Sequence, residues 1–289
     1  MFKTRLLSGI VLVAVALLTI ISGGYVLFFT LLGISLIGMQ ELYKAMKVRT
    51  DQFNALEIAG YLGAVIYYVL MAADFEKYGM MGVIIAFMIF MFVYVFNYPR
   101  FHAEQVMPAF FGVVYVAVML SFIYLTRNLP DGKFLVWLIF LCSWGCDTCA
   151  YCVGMLFGKH KMAPVLSPKK SVEGAVGGVV GAALLTLIYG FLFRGSMHVD
   201  VPYIFMMAGI CAAGALISMV GDLAASAIKR NFDIKDYGKL IPGHGGILDR
   251  FDSVIFTAPA IYFLAKLVLG ISSWKHGCLE ARFSGSGSY

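Results

Sequence analysis

Charge is scarce in this sequence. Only 13% of the 289 residues are Asp, Glu, Lys or Arg, whereas 61% are hydrophobic and the mean hydropathy is +0.87. Soluble domains carry about 25% charged residues, so the composition excludes an ordinary soluble protein and a disordered one. With 8 Pro and 6 Cys, the sequence also excludes a collagen-like chain and a disulfide-stapled secreted domain. We therefore expect the chain to reside in a membrane.

Long apolar runs account for most of the chain. A helix that crosses a membrane needs about 20 predominantly apolar residues. We predict an all-α polytopic membrane protein with about nine transmembrane helices and a polar cavity that faces the cytoplasm. Only Ser22, Gly23 and Gly24 separate the first two runs, which predicts a tight hairpin or a re-entrant pair. The apolar runs lie at residues 6–22, 25–40, 56–73, 80–96, 109–125, 134–157, 174–193, 202–227 and 251–272.

The basic residues are distributed unevenly between the two sides of the membrane. If all nine runs cross, the loops on the side of the N-terminus carry most of the Lys and Arg residues, with clusters at 159–170 and 229–250. Because cytoplasmic loops are enriched in basic residues, we expect the N-terminus inside and the C-terminus outside. The net charge of +6 then reflects cytoplasmic anchoring and an anion site, and it does not indicate a nucleic-acid partner.

Four of the six cysteines fall in one apolar run. The spacing of Cys142, Cys146, Cys149 and Cys152 has some likeness to a metal or cluster site, for which thiolates are good ligands. In a membrane helix the simpler interpretation is that small, weakly polar side chains pack between neighbouring helices. We favour packing.

A first polar segment begins at Asp147, near the end of the sixth run, and continues through a loop rich in Lys, Ser, Pro and Gly. A carboxylate at membrane depth is costly unless it is paired, hydrated or metal-bound, so Asp147 is a functional candidate. The alternatives are a structural contact for Asp147 and simple membrane anchoring for the lysines. Interleaved hydroxyl, ammonium and N–H donors suit a polyphosphate ligand. We expect a nucleotide site that includes Ser167, Lys169, Lys170, Ser171 and Glu173.

A second polar segment runs from Asp222, near the end of the eighth run, to Asp252 at the start of the ninth. It mixes acids and bases, unlike the purely basic patch of a membrane-surface anchor. The Pro-Gly-His-Gly-Gly run around His244 requires a non-helical path and lets the backbone approach a ligand closely. This segment is therefore a candidate binding or catalytic site.

The stretch from Ser226 to Asp252 resembles the signature of the phosphatidate cytidylyltransferases, also called CDP-diacylglycerol synthases. It contains Ser-x-x-Lys-Arg, Lys-Asp, Pro-Gly-His-Gly-Gly and Asp-Arg-x-Asp in that order. The upstream Asp-Thr-x-Ala-Tyr and Ser-Pro-Lys-Lys-Ser-x-Glu-Gly segments are similar to that family as well. The resemblance implies an enzyme of phospholipid biosynthesis in the bacterial inner membrane. Such an enzyme makes CDP-diacylglycerol and pyrophosphate from CTP and phosphatidic acid, with Mg²⁺.

The chemistry of such a transfer agrees with the residues present. The phosphate of phosphatidic acid is already an anion, so the reaction needs cations that bring two anions together rather than a strong general base. Mg²⁺ takes one or two protein carboxylates, and a returning loop can bring Asp222 and Asp249 to one place. The resemblance points to the same two metal ligands, and a second cation stays open. We expect catalytic roles for Asp222, Asp249, Lys229, Arg230, His244 and Arg250, and further substrate contacts from Asp147, Ser226, Lys239, Gly245, Gly246 and Asp252.

Three regions follow from this interpretation. Residues 1–130 are expected to be scaffold and dimerisation helices, and residues 131–276 the catalytic transmembrane region. Residues 277–289 are expected to be a flexible tail or an artificial extension. A homodimer is an option, because Gly174, Gly177, Gly178 and Gly181 permit close helix packing within or between chains.

Two other classes of protein stay open at this point. A related CTP-dependent lipid enzyme, such as a polyprenol or phytol kinase or an archaeal lipid cytidylyltransferase, would differ only in its lipid. An ion-coupled transporter would use Asp147 and Asp222 as intramembrane ion sites. The charged residues count against a transporter, because they cluster at one end of the predicted helices and form no path to the other face.

Overall fold

The computed structural model describes residues 2–48, 54–241, 243 and 245–284, with side chains between residues 9 and 267. These ranges contain nine helical segments, one for each predicted apolar run. The helices are α1 Phe2–Ser22, α2 Gly24–Ala45, α3 Ala55–Ala73, α4 Phe75–Phe96, α5 Ala103–Arg127, α6 Gly132–Phe157, α7 Val172–Met197, α8 Val201–Asn231 and α9 Leu248–Ser284, and the strands are β1 Lys161–Ala163 and β2 Ser167–Ser171. The prediction of an all-α polytopic protein is confirmed.

Seven of the helices in the described part of the chain, α2 to α8, are long and apolar enough to cross a membrane. In α1, the apolar part with described side chains, Gly9–Ser22, is shorter. Many large apolar side chains point outward, such as Leu18 at 67% and Phe96 at 81% exposure. Such a surface suits lipid and not water, so the chain is an integral membrane protein. The orientation of its two termini stays a prediction.

Short polar caps and glycines set the ends of the helices. Asn54 accepts a hydrogen bond from the backbone N–H of Glu57 at 3.0 Å and begins α3, and Asp74 begins α4 in the same way. Gly23, with φ of 61°, makes the predicted tight turn between α1 and α2. The Arg127 guanidinium donates to the carbonyl of Ile20 at 3.0 Å and so closes the end of α1.

Neutral hydrogen bonds join the N-terminal helices in their interior. The Tyr43 hydroxyl in α2 donates to the carbonyl of Ala109 in α5 at 2.7 Å, and Tyr67 in α3 shares a 3.0 Å hydrogen bond with Ser121. Part of α5, Val113–Val118, is π-helical, as is Leu141–Gly145 in α6. Because lipid offers no hydrogen-bond partners, these two hydrogen bonds between helices determine how the helices pack.

The glycines of α7 pack against the cysteine-bearing part of α6. A Cβ at Gly178 would lie 2.9 Å from the Cys146 sulfur, and one at Gly181 would overlap Cys149. The glycines therefore serve close packing within one chain. Cys142 and Cys146 are fully buried thiols, in agreement with the packing interpretation. Helix α9 is described to Ser284, and residues 285–289 of the predicted tail lie outside the described residues.

Candidate active site

The second polar segment consists of the end of α8, the start of α9 and the loop between them, residues 232–247, which we call the signature loop. One face of α8 carries Asp222, Ser226 and Lys229, because these residues are spaced four and three positions apart. Asp249, Arg250 and Asp252 occupy the first turns of α9. Antiparallel packing of α8 and α9 brings the two sets together.

Asp249 is the anchor of the signature loop. Its Oδ1 accepts a hydrogen bond from Lys229 Nζ at 3.0 Å, and its Oδ2 accepts from the backbone N–H groups of Tyr237 at 2.8 Å and Gly246 at 3.0 Å. The residue is only 6% exposed. Gly245 completes the turn with φ of 90°, a conformation that side chains disfavour. Because one buried carboxylate accepts hydrogen bonds from several parts of the loop, it holds the loop in a single conformation.

The first polar segment forms a clasped hairpin that packs against the end of α6 and the start of α7. Strands β1 and β2 pair antiparallel, with Lys161 opposite Ser171. Glu173 accepts hydrogen bonds from the backbone N–H groups of Lys159 at 3.0 Å and His160 at 3.2 Å, and it contacts His160 Nδ1 at 2.6 Å. Ser171 accepts from Gly174 N–H at 3.1 Å and begins α7. Glu173 and Ser171 therefore shape the hairpin.

Three carboxylates from three different helices meet next to this hairpin. Asp222 of α8 forms an ion pair with Lys170 of β2 and interacts electrostatically with Asp147 of α6 and Asp252 of α9. Asp147 also accepts a 3.4 Å hydrogen bond from the Ser253 hydroxyl. Carboxylates gathered in this way are stable when a cation or a shared proton offsets their charge, so the cluster suits a positively charged or metal-bound ligand.

A polar cavity of about 220 Å³ opens onto this cluster. Arg250 lines this cavity, and its Nε is buried without a hydrogen-bond partner among the described residues. The indole N–H of Trp144 donates to the Arg250 carbonyl at 3.2 Å and holds the start of α9 against α6. An unpartnered guanidinium N–H is a ready donor for a phosphate oxygen. The lining residues are Gly9, Leu12, Val13, Trp144, Asp147, Ile241, Asp249, Arg250, Asp252 and Ser253.

Comparison with known proteins identifies the family. The model of the cytidylyltransferase family matches residues 3–268. The phosphatidate cytidylyltransferases of Staphylococcus haemolyticus (strain JCSC1435) and Staphylococcus aureus (strain COL) are 30% and 31% identical to this chain. Both alignments cover 91% of this chain and 98% of the relative. The chain belongs to the cytidylyltransferase family. It is therefore a nucleotidyltransferase, as the resemblance implied.

The site of this cytidylyltransferase contains part of the predicted residue set. Lys229, Asp249 and Gly246 form the loop anchor, Lys170, Asp222, Asp147 and Asp252 form the charged cluster, and Arg250 lines the cavity. Ser226 is half-buried on the same face of α8, while Arg230, Lys169 and Lys239 are exposed and Ser167 lies half-buried at the start of β2. Pro242 and His244 lie outside the described residues, so the role of His244 stays a prediction.

The predicted metal pair of Asp222 and Asp249 stays a prediction. Both oxygens of Asp249 accept hydrogen bonds, from Lys229, Tyr237 and Gly246. Asp222 interacts electrostatically with Asp147 and Asp252. Asp249 is thus a loop anchor in this structure, and its role as a metal ligand stays a prediction. The described residues contain no ready-made group of three metal-ligating side chains. Mg²⁺ requires no such group, because one or two carboxylates with water and phosphate complete its shell.

Two buried residues of the N-terminal helices reach this site, and neither belongs to a recognised motif. Glu41 of α2 accepts hydrogen bonds from the backbone N–H groups of Ile247 at 3.1 Å and Leu248 at 2.9 Å, at the beginning of α9. The Tyr115 hydroxyl of α5 is buried near Asp222 and Asp252 and has no hydrogen-bond partner in the described part of the chain. The sequence signal for Glu41 is an acid directly after the second apolar run.

Proposed function

We propose that this protein transfers the cytidylyl group of CTP to phosphatidic acid, which yields CDP-diacylglycerol and pyrophosphate. The observation that carries the proposal is the charged cluster of Lys170, Asp222, Asp147 and Asp252 beside a cavity lined by Arg250. It lies in a chain that aligns over 91% of its length with proteins named phosphatidate cytidylyltransferase. An integral membrane nucleotidyltransferase with such a site suits a reaction between a nucleotide and a membrane lipid.

The residues of the site supply the electrostatics of this transfer. The attacking phosphate of the lipid is an anion, and the departing pyrophosphate accumulates negative charge. Arg250, with its unpartnered Nε, and Lys170, at the edge of the hairpin, are positioned to bind phosphate oxygens. The buried pair Lys229–Asp249 keeps the signature loop folded around the cavity. Orientation and charge balance are thus the contribution of the protein.

The carboxylates fit a hard cation. Asp222, together with Asp147 or Asp252, would hold Mg²⁺, because oxygen ligands with a net negative charge are what this ion prefers. Bound Mg²⁺ would neutralise charge on the triphosphate of CTP and on the pyrophosphate that leaves. Whether a second cation takes part is a question for metal titration.

We further propose that the cavity faces the cytoplasm of a bacterial inner membrane, with the N-terminus inside. The support is the excess of Lys and Arg on the loops of that side. CTP is available there, and phosphatidic acid reaches the site from the bilayer. A homodimer stays a prediction of the sequence.

The test is an assay of the purified protein in detergent with radiolabelled CTP, phosphatidic acid and Mg²⁺. We expect CDP-diacylglycerol from the wild type and a loss of roughly 100-fold or more in Asp222→Asn, because the charge that balances cations in the site is gone. The matched control is Asp200→Asn at the other end of α8, where Asn can also precede a helix. Removal of Mg²⁺ with a chelator should abolish turnover, and added Mg²⁺ should restore it.

Three outcomes would overturn the proposal. These are no CDP-lipid from the wild type, full activity in Asp222→Asn, and turnover that is indifferent to chelation. Transfer of phosphate from CTP to a polyprenol or to phytol would instead identify a related lipid kinase. Ion flux in proteoliposomes without consumption of CTP would identify a transporter.

A further inference from the structure

A second, larger cavity adjoins the polar one. It is an apolar groove of about 480 Å³ between α1, α2 and the start of α9. Ala16 of α1, Leu31 of α2, Phe140 of α6 and Phe251 of α9 are among its lining residues. The charged cluster, the cavity and the comparisons assign no role to this groove.

The lining of the groove offers a ligand almost nothing polar. Its only hydroxyl groups belong to Thr19 and Thr30, among the described residues that line it. Thr19 Oγ1 donates to the Val15 carbonyl at 2.9 Å, and Thr30 Oγ1 donates to the Val26 carbonyl at 2.8 Å. Both hydroxyls are thus satisfied within their own helices. The chemistry of the wall therefore selects hydrocarbon.

The groove and the polar cavity share part of their walls. Leu12 of α1 and Ile241 of the signature loop line both of them. At the start of α9, Arg250 faces the polar cavity and the adjacent Phe251 faces the groove. Adjacent helix positions point about 100° apart, so one turn of α9 divides charged from apolar space. A ligand that fills both spaces has an apolar end and a polar end. An anionic polar end fits where Arg250 and the cation of the proposed function offset the carboxylates of the cavity.

We propose that the groove seats an acyl chain of phosphatidic acid while the phosphate of the same lipid occupies the polar cavity. The inference rests on the proposed function and identifies the part of the protein that binds the acyl chain of the lipid. A phospholipid has the required shape, since its phosphate is separated from its chains by only the glycerol backbone. Helices α1 and α2 then act in lipid selection as well as in support.

The groove also explains the apolar side chains in an otherwise polar loop. Leu240 is 57% exposed although it follows the charged Lys239. Leu240, Ile241 and Ile247 line the groove from the loop side. An exposed leucine beside a charged site is costly in water and favourable against an acyl chain. Lipid contact thus gives these loop residues a function.

The experiment fills the groove with an indole ring. Ala16→Trp places the ring in the groove, and the matched control Ala14→Trp places the same ring on the exposed face of α1. Both variants are assayed with dioleoyl and dihexanoyl phosphatidic acid. We expect the KM of Ala16→Trp for the dioleoyl lipid to rise roughly tenfold, since about two methylene groups lose their contacts. The KM values for dihexanoyl lipid and CTP should stay within twofold, and Ala14→Trp should match the wild type.

Equal effects of Ala16→Trp on both lipids, or no effect on either, would overturn the proposal, as would the same selectivity change in Ala14→Trp. Wild-type activity with an unchanged lipid preference in Ala16→Trp refutes the groove alone. A wild type that makes no CDP-lipid refutes the proposed function instead.

A second measurement does not depend on the folding of a variant. Wild-type protein is irradiated with a phosphatidic acid that carries a diazirine in its acyl chain, and the labelled peptides are sequenced. We expect labels on α1 and α2 that excess unlabelled dioleoyl phosphatidic acid displaces. Labels confined to the lipid-facing helices α4 and α7, or labels that resist competition, would overturn the proposal.

Discussion

The helices before residue 130 and those after it are held together by different chemistry. In the first region, neutral hydrogen bonds join neighbouring helices, as between Tyr43 and Ala109 and between Tyr67 and Ser121. In the second region, an ion pair joins neighbouring helices, that of Lys229 and Asp249. Neutral hydrogen bonds cost little to bury and fix helix packing, whereas buried charges are costly and indicate a functional site. The contrast indicates that the first region supports the structure and that the second region contains the functional site.

Glu41 breaks this division. It lies in the first region, is 7% exposed, and directs its carboxylate to the first N–H groups of α9 in the second region. The N-terminus of a helix carries a partial positive charge and unsatisfied N–H donors, so a carboxylate there stabilises the helix end. A Cβ at Gly238 or Gly246 would overlap the Glu41 side chain, which explains both glycines. The N-terminal helices therefore hold the signature loop in place.

The largest effect that would sharpen the comparison is expected from Asp249→Asn. The substitution leaves Lys229 buried without its anionic partner and weakens the acceptor for Tyr237 and Gly246. Breaking a buried ion pair costs about 3–5 kcal/mol, and we expect turnover to fall at least roughly 100-fold. Thermal unfolding in detergent and CDP-lipid formation measure the two effects. Wild-type stability together with lost turnover would favour direct metal or substrate contact over anchoring.

The next effect tests whether the first region reaches the chemistry. Glu41→Ala removes two charge-assisted hydrogen bonds at the start of α9, and we expect turnover to fall roughly tenfold with a destabilisation of about 2–3 kcal/mol. Glu41→Gln keeps a hydrogen-bond acceptor, so its losses of turnover and stability should be smaller. The control is Tyr43→Phe, which removes a neutral hydrogen bond two residues further along α2, at a cost of about 1 kcal/mol and without a change in KM. If Glu41→Ala and Tyr43→Phe behave alike, the first region is support only.

The smallest effect concerns the hairpin. Glu173→Gln weakens the clasp on Lys159 and His160, and the looser hairpin should raise the KM for CTP about fivefold. The clasp is on the surface, so the unfolding temperature should change little. His160→Ala, which removes only the ring contact, should give a smaller increase. An increase in the KM for phosphatidic acid instead of CTP would assign the hairpin to the lipid.

The sequence predicted more of the fold than of the site. Apolar runs and the scarcity of charge located all nine helices, because lipid admits little besides helices of that length. Motifs located the signature loop and the segment of the hairpin, which was expected as a loop and contains two strands. The partner of each acid was beyond prediction: Asp222 pairs with Lys170, and Asp249 pairs with Lys229. Glu41 contacts Leu248 across 207 residues of chain, and no local pattern announces such a contact.

By itself, the sequence determined that this protein lives in lipid and that its scarce charges gather near the ends of a few helices. Both follow from transfer free energies, which depend on residue type alone. Only the tertiary structure decided which helix ends meet. Small residues such as Gly214 let α8 approach α6, since a Cβ there would lie 3.0 Å from the Cys142 sulfur, and these two helices carry Asp222 and Asp147. Helix packing also places the apolar groove next to the charged cavity. This placement depends on which helices touch and not on the residue composition of any one helix.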